Sequence, residues 1–581
     1  VDSGFFFSIP TQLANKESQL VTVTARRRNP DTQKCEPSFK SVKRNVSFWS
    51  DYLNPGPAEI QGTPQMALRY NTADTAPELV STASATATVV PLDFDANAQA
   101  KIWVRYPDAG KLRLNASHFS EEAYAVGSAS FVSKPYGLCL QRPASITGDL
   151  SNCNGAGCAV FPGGIRAGDS FPLSIRAVGW QADGEALTAA QLCSGNITTP
   201  NFRHAGIGLT SAVVAPSGGD NGVVTPLSYN HALGNVTSSA HSISEVGVFT
   251  VTATPPAGAY LDGETVGGGS SDLVGRFIPA YLSAEGSASL TPSCGSAFSY
   301  QGQPMGFASG RQPTLTITAR NRSGVVTRNY DRGAFWRLGD SAVGAYASIT
   351  GIATLDARLA SDGTATLAVA EADNGDGKRI YSWTGERLLY KQALLPSVDD
   401  YPFEAKVEQR FPAASLTDAD GACHGTGGAC QDYVYAFSDQ PGSEVRLGRL
   451  RIGNAHGSEL QGLSLPLVVE SWQNIAGGSF QREGMDACTN LGTPALDMFT
   501  GNLALGDTIP TLVGLSAGGG SVSLSAPGAG NDGSVQVSFP ASPSWLQYPW
   551  DGANRQLARG LASFGIYRGA APLIFRRELY R

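Results

Sequence analysis

Leu20-Val-Thr-Val-Thr-Ala25 alternates apolar and polar side chains with a period of two and is rich in β-branched residues. That pattern predicts a strand with one buried face. The signature returns along the whole chain, in Ala85-Thr-Ala-Thr-Val-Val90, Lys101-Ile-Trp-Val-Arg-Tyr106, Val248-Phe-Thr-Val-Thr-Ala253, Leu315-Thr-Ile-Thr-Ala319 and Ser534-Val-Gln-Val-Ser-Phe539. Gly, Pro, Asn or Asp break the runs apart. No stretch of twelve or more residues keeps a helical period. Leu355 to Val369 holds helix formers, but Ser361-Asp-Gly363 cuts it and leaves Thr364-Ala-Thr-Leu-Ala-Val369 as a strand. Near the end, Phe564-Gly-Ile-Tyr-Arg-Gly569 and Ile574-Phe-Arg-Arg-Glu-Leu-Tyr580 predict a hairpin. Short strands with turn signals every ~8–12 residues predict an all-β protein of tandem Ig-like antiparallel β-sandwich domains.

At 581 residues the chain exceeds a single core, and at ~100–150 residues per domain it should hold about four. The divisions fall at 1–133, 134–285, 286–408 and 409–581. Val132-Ser-Lys-Pro-Tyr136 reads as a crossover, Gly267 to Ser271 as a loop, and Val274-Gly-Arg-Phe-Ile-Pro-Ala-Tyr281 as the closing strand of the second domain. A hydrophobic content of 42% supplies cores and excludes a disordered tail. A net charge of −7 without a basic stripe excludes a phosphate-backbone binder. Arg26-Arg27-Arg28 reads as the projecting end of a strand. No run approaches the ~18–20 apolar residues of a membrane span. Val1 is not a start methionine and no signal-peptide pattern follows it, so the chain reads as a piece of something longer.

Nine cysteines are present. Cys153 and Cys158, and Cys423 and Cys430, face each other across glycine-rich loops, and each pair predicts a small disulfide loop. Cys139–Cys193 is a longer third, and Cys488 is an alternative partner for Cys423 or Cys430. Zinc is the competing reading, but neither loop has a second ligand knuckle nearby. Disulfides imply an oxidising compartment, extracellular or on a cell surface. The odd count leaves one thiol unpaired within the chain.

Two enzyme motifs match as strings and fail in context. Gly514-Leu-Ser-Ala-Gly518 resembles a nucleophile elbow, yet the strand-like Ser521-Val-Ser-Leu-Ser525 follows where a helix must support Ser516. Gly528-Ala-Gly-Asn-Asp-Gly533 precedes a strand instead of a helix and reads as a hairpin loop. The acidic loops at Asp93 and Asp95, Asp373 and Asp376, and Asp418 and Asp420 read as inter-strand turns, with calcium as the alternative; from Asp373 the twelfth position is Thr384, which fails the EF-hand pattern. The six histidines are scattered and assemble no catalytic set. The reading is therefore non-enzymatic, with a surface hydrolase using Ser516 as the rival. Trp545, Tyr548 and Trp550 are the candidate ligand-facing aromatics of a carbohydrate-binding surface, which would need a planar exposed row.

A set of short motifs runs in order along the chain: Phe48-Trp-Ser-Asp-Tyr52, Tyr106-Pro-Asp-Ala-Gly110, Lys134-Pro-Tyr-Gly137, Gly275-Arg-Phe-Ile-Pro-Ala-Tyr281, Phe298-Ser-Tyr-Gln-Gly-Gln-Pro304, Ala319-Arg-Asn-Arg-Ser-Gly324, Asn329-Tyr330, Arg446-Leu-Gly-Arg-Leu-Arg451, Asn454-Ala-His-Gly457 and Ser544-Trp545-Leu546. In this order they resemble the MshQ-like proteins, large surface proteins encoded with MSHA-type type IV pili. The resemblance implies a secreted, adhesive cell-surface protein with pilus or other surface proteins as partners and surface glycans as a further option, and brings no catalytic residues. Self-association into a filament is the alternative. The family pattern also places a cysteine near Ala14 as the partner of Cys35, and that cysteine is missing here. The Tyr106 and Asn329-Tyr330 segments read as sandwich corners, where a tyrosine ring packs and its hydroxyl bonds to nearby backbone.

Overall fold

A computed structural model describes residues 3–120, 124–142, 158–339, 344–370, 373–438 and 443–565. The fold is all-β, with 46% of residues in strands and 7% in helices. Among the described residues the α-helices are single turns, Ala189–Leu192 and Ala353–Asp356. The strand Val21–Arg28 shows why the pattern works: Val21, Val23 and Ala25 are buried, while Thr22, Arg27 and Arg28 are exposed. Fully burying an aliphatic side chain of valine size or larger contributes about 1.5–3 kcal/mol, so a one-residue slip in register would be costly.

The first unit is one curled eleven-stranded sheet. Its opening strand, Ser3–Phe6, closes it by pairing antiparallel with Val21–Arg28 and parallel with Tyr124–Lys134 through Gly4 and Val126. The second unit packs Gly137–Gln141, Phe171–Val178 and Thr237–Ile243 against a sheet holding His204–Ala215 and Gly247–Thr254. In the third, Tyr281–Ser287, Thr314–Arg320 and Lys378–Thr384 form one sheet, and Ala345–Ser348, Val407–Phe411 and Tyr433–Ala436 another. Hydrogen bonding from Val407–Phe411 to Tyr433–Ala436 carries this unit through residue 436, so a division at 408 falls inside a sheet. The fourth unit faces Gly448–Ile452, Leu463–Gln473, Gly519–Leu524 and Pro510–Ser516 against Ala455–Gly457, Arg559–Phe564, Gly533–Ser538 and Ala495–Gly501. The first unit has its own core and the fourth unit's core also takes in Cys294, Phe298 and Tyr300, whereas the second and third share a continuous apolar cluster that includes Phe277, Leu282 and Ile317.

Several local expectations change. Ser84–Thr86 is a 3-10 turn, so the strand expected from Ala85 begins at Thr88. The expected loop at 267–271 contains the strand Gly269–Ser270, paired with Ala253 and Thr252. A Cβ on Gly269 would lie 1.8 Å from the carbonyl oxygen of Leu138, so this glycine serves close packing and not loop freedom. The strand expected over 274–281 ends at Phe277, and Tyr281 opens the third unit. Gly528 to Gly533 joins strands of two different sheets, a crossover in place of a hairpin loop. The hydroxyl of Tyr106 is buried without a protein partner among the described residues, whereas that of Tyr330 accepts the Arg337 amide at 3.3 Å, as expected of a corner, and also donates to the Asp418 carboxylate at 2.7 Å. The terminal hairpin lies outside the described residues beyond 565.

Buried polar contacts fasten each unit to the next. Asp108 accepts from the main-chain and side-chain N–H groups of Asn201 at 3.1 and 2.6 Å. Glu245 accepts from the amides of Arg328 and Asn329 at 2.9 and 3.2 Å. The Asn329 side chain in turn donates to the carbonyls of Asp220 and Val246 at 2.8 and 3.0 Å. Between the third and fourth units, Tyr300 donates to Asp486 at 2.8 Å, and Phe298–Tyr300 pairs with Glu444–Arg446.

Disulfides join Cys139 to Cys193, Cys294 to Cys488 and Cys423 to Cys430, with S–S distances of 2.08, 2.05 and 2.05 Å. Cys488 thus pairs with Cys294 and not with the Cys423 loop. Cys158 is also disulfide-bonded, and Cys153 lies outside the described residues. Cys35 is free and exposed.

Candidate functional site: an arginine-aromatic cleft

On the strand Gly448–Ile452, Leu450 and Ile452 face the core, while Arg449 and Arg451 face outward. Both guanidiniums reach one carboxylate on the neighbouring strand. Arg449 Nε and Arg451 Nε each donate to Glu470 at 2.8 Å, one to each oxygen. One carboxylate thus serves two guanidiniums.

Arg449 is also roofed by rings. Its guanidinium carbon lies 3.7 Å from the centroid of Phe480, 5.0 Å from Tyr548 and 5.2 Å from Trp550, within cation–π range. The rings meet edge to face, at 84° between Phe480 and Tyr548 and 67° between Tyr548 and Trp550. Trp472 continues the row against Phe480 at 62°. This is a packed, interlocked row and not a coplanar platform. Of the three aromatics singled out in the sequence, Trp550 is 42% exposed, Tyr548 is half-buried, and Trp545 packs against the core of the fourth unit with its indole N–H unpartnered among the described residues.

Beside Trp550 opens a cleft of about 470 Å³ whose polar lining is Arg451, Asn454, Gln556 and Arg559, with Ile452 and Gly453 among its apolar lining. Glycine builds it: a Cβ on Gly560 would lie 2.4 Å from the Ile452 side chain and 2.8 Å from the Gly453 carbonyl. Only without those atoms can the start of Arg559–Phe564 approach the end of Gly448–Ile452. Asn454 Oδ1 accepts the Leu561 amide at 2.8 Å, and Arg559 Nη1 is held by both oxygens of Asp497 at 2.6 and 2.7 Å. Sequence reasoning reached Trp550 but not these polar partners. Their one signal was the alternation Arg449-Leu-Arg451-Ile452, which places two arginines on a single outer face.

The other candidates do not assemble. Ser516 sits at the exposed end of the hairpin formed by Pro510–Ser516 and Gly519–Leu524, and no histidine or carboxylate among the described residues hydrogen-bonds to it. Asp420 is engaged by Arg276 and Asp418 by Tyr330, so both carboxylates of that acidic loop already have partners. No helix among the described residues is long and apolar enough to cross a membrane.

These features define a tandem Ig-like β-sandwich protein. Successive segments match the four domains of a single family: residues 1–129 match "Domain of unknown function (DUF6701), first Ig-like domain", 134–242 its second domain, 245–438 its third and 446–579 its fourth. The chain belongs to the multi-domain DUF6701 family, whose function is unknown. No curated protein matches it. Among solved structures, it is similar to invasin, described as a bacterial integrin-binding protein, with 10% identity over 96% of this chain and 79% of that one and a TM-score of 0.27. It is also similar to an ICAM-5 D1–D4 ectodomain fragment, with 8% identity over 97% and 99% and a TM-score of 0.25. Zebrafish RET cadherin-like domains 1 to 4 share 9% identity over 90% and 98%, with a TM-score of 0.22. At such scores the whole-chain arrangements differ, and no functional inference follows from them.

Proposed function

We propose that this protein is a non-enzymatic extracellular structural and adhesive protein, displayed at a bacterial cell surface in association with an MSHA-like type IV pilus. One observation carries the reading: every junction between successive sandwiches is fastened by buried polar contacts, and disulfides, Cys294–Cys488 among them, reinforce the chain. Such joints suit a protein that must hold its domains in register outside the reducing cytoplasm. The ends of sandwiches also place loops where contact surfaces are readily built. The ordered motifs shared with MshQ-like proteins support the pilus association. The test is a strain lacking the gene, imaged for pili and scored for surface attachment. Loss of attachment is expected. Normal piliation and normal attachment, with purified chains assembling into fibres, would replace this reading with that of a filament subunit.

A further inference from the structure

We infer that the cleft beside Trp550 binds an acidic saccharide, with the ring against the indole and the carboxylate on the arginines. The inference rests on the adhesive reading and names the ligand class for it. Its argument is the unspent hydrogen-bonding capacity of the lining. Arg451 uses Nε on Glu470, and among the described residues its two terminal nitrogens have no partner. Arg559 spends Nη1 on Asp497 and Gln536, which leaves Nε and Nη2. Asn454 spends its oxygen on the Leu561 amide, which leaves its amide nitrogen. The free groups are thus mostly donors, beside the single acceptor oxygen of Gln556, whose nitrogen donates to Asp551.

A neutral sugar hydroxyl donates as readily as it accepts, so a donor-rich lining gives it no special advantage. A carboxylate accepts only, and guanidinium forks match its geometry. Sharing Glu470 between Arg449 and Arg451 leaves the Arg451 fork only partly spent. The 42% exposed indole supplies the apolar surface that the C–H face of a sugar ring covers, and about 470 Å³ lies within the ~300–1,000 Å³ of small-ligand clefts. The aromatic row need not be a platform: packed edge to face over Arg449, it holds Trp550 in place.

The test is calorimetric titration of the full chain with trigalacturonate, with its carboxyl-reduced neutral trisaccharide, and with triglutamate. Trigalacturonate should bind, and at least tenfold more tightly than either comparator. Trp550→Ala and Arg451→Gln should each weaken it about tenfold at an unchanged melting temperature. Equal binding of the neutral sugar, equal binding of the acidic peptide, unaltered affinity in both variants, or no binding at millimolar concentration would each overturn the inference. The two readings fail separately: a Trp550→Ala strain that attaches normally removes the cleft from adhesion, whereas a deletion strain that attaches normally removes adhesion itself.

Discussion

Arg276 of the second unit and Asp420 of the third form a two-pronged pair, Nη1 to Oδ2 at 2.8 Å and Nη2 to Oδ1 at 3.0 Å, with side chains only 4% and 8% exposed. Arg276 Nε also donates to the Cys158 carbonyl at 3.1 Å. Removing Asp420 leaves the Arg276 charge buried without a carboxylate, and breaking a buried pair in this way typically costs about 3–5 kcal/mol. Asp420→Ala should therefore lower the unfolding midpoint of the second and third units together, because they share one apolar cluster. Differential scanning calorimetry checks this: a single shifted transition is expected, and an unshifted one would show that the pair is dispensable.

Two buried carboxylates at the unit junctions give the molecule a pH response. Burial pushes Asp108 up to about 6, and burial, aided by the nearby Asp220 charge, pushes Glu245 up to about 7. Both folded values lie above the ordinary carboxylate range. Their contribution to stability is thus complete in acid, below the unfolded values, and is lost as pH rises through about 6 and about 7. Thermal midpoints should fall between pH 5 and pH 8. Glu245→Gln should flatten the upper part of that decline, and a variant with the original slope would assign the response elsewhere.

The disulfides should differ in worth. Cys294 and Cys488 are 194 residues apart, whereas Cys423 and Cys430 are 7 apart. On chain entropy alone the long loop contributes about 5 kcal/mol and the short one roughly 2–3 kcal/mol. Replacing the Cys294 and Cys488 pair by alanines should lower the denaturant midpoint more than replacing the Cys423 and Cys430 pair. Equal losses would mean that the unfolded chain is compact enough to erase the entropic difference.

Two buried tyrosines should respond oppositely to loss of their hydroxyls. Among the described residues Tyr106 has no protein partner for its oxygen, so Tyr106→Phe should be neutral or stabilising by up to about 1 kcal/mol. Tyr330 donates to Asp418, so Tyr330→Phe leaves a buried carboxylate short of a donor and should cost about 1–3 kcal/mol. Paired urea titrations compare them directly.

The strands were legible because a half-buried strand writes its burial into alternate residues, as at Val21, Val23 and Ala25. Glycine was less so, since the same residue serves a turn or a close approach: Gly269 read as loop and proved to be strand. The partnerships that make the joints and the cleft were hidden by distance along the chain. Arg276 meets a carboxylate 144 residues away, and Cys294 a sulfur 194 residues away, with no local pattern to announce either. Trp550 was visible as an aromatic, but Arg559 reaches it only through the glycine approach of two strands from different sheets.

The Cys294–Cys488 bond changes how the chain would carry a mechanical load. Pulling on its two ends sends tension through the covalent shortcut and past the backbone between the two sulfurs, which includes most of the third unit. At roughly 3.3–3.6 Å per extended residue, the shortcut withholds about 650 Å of slack that unravelling would otherwise release. Between those two sulfurs a tether built this way keeps its length when pulled, until the bond is reduced.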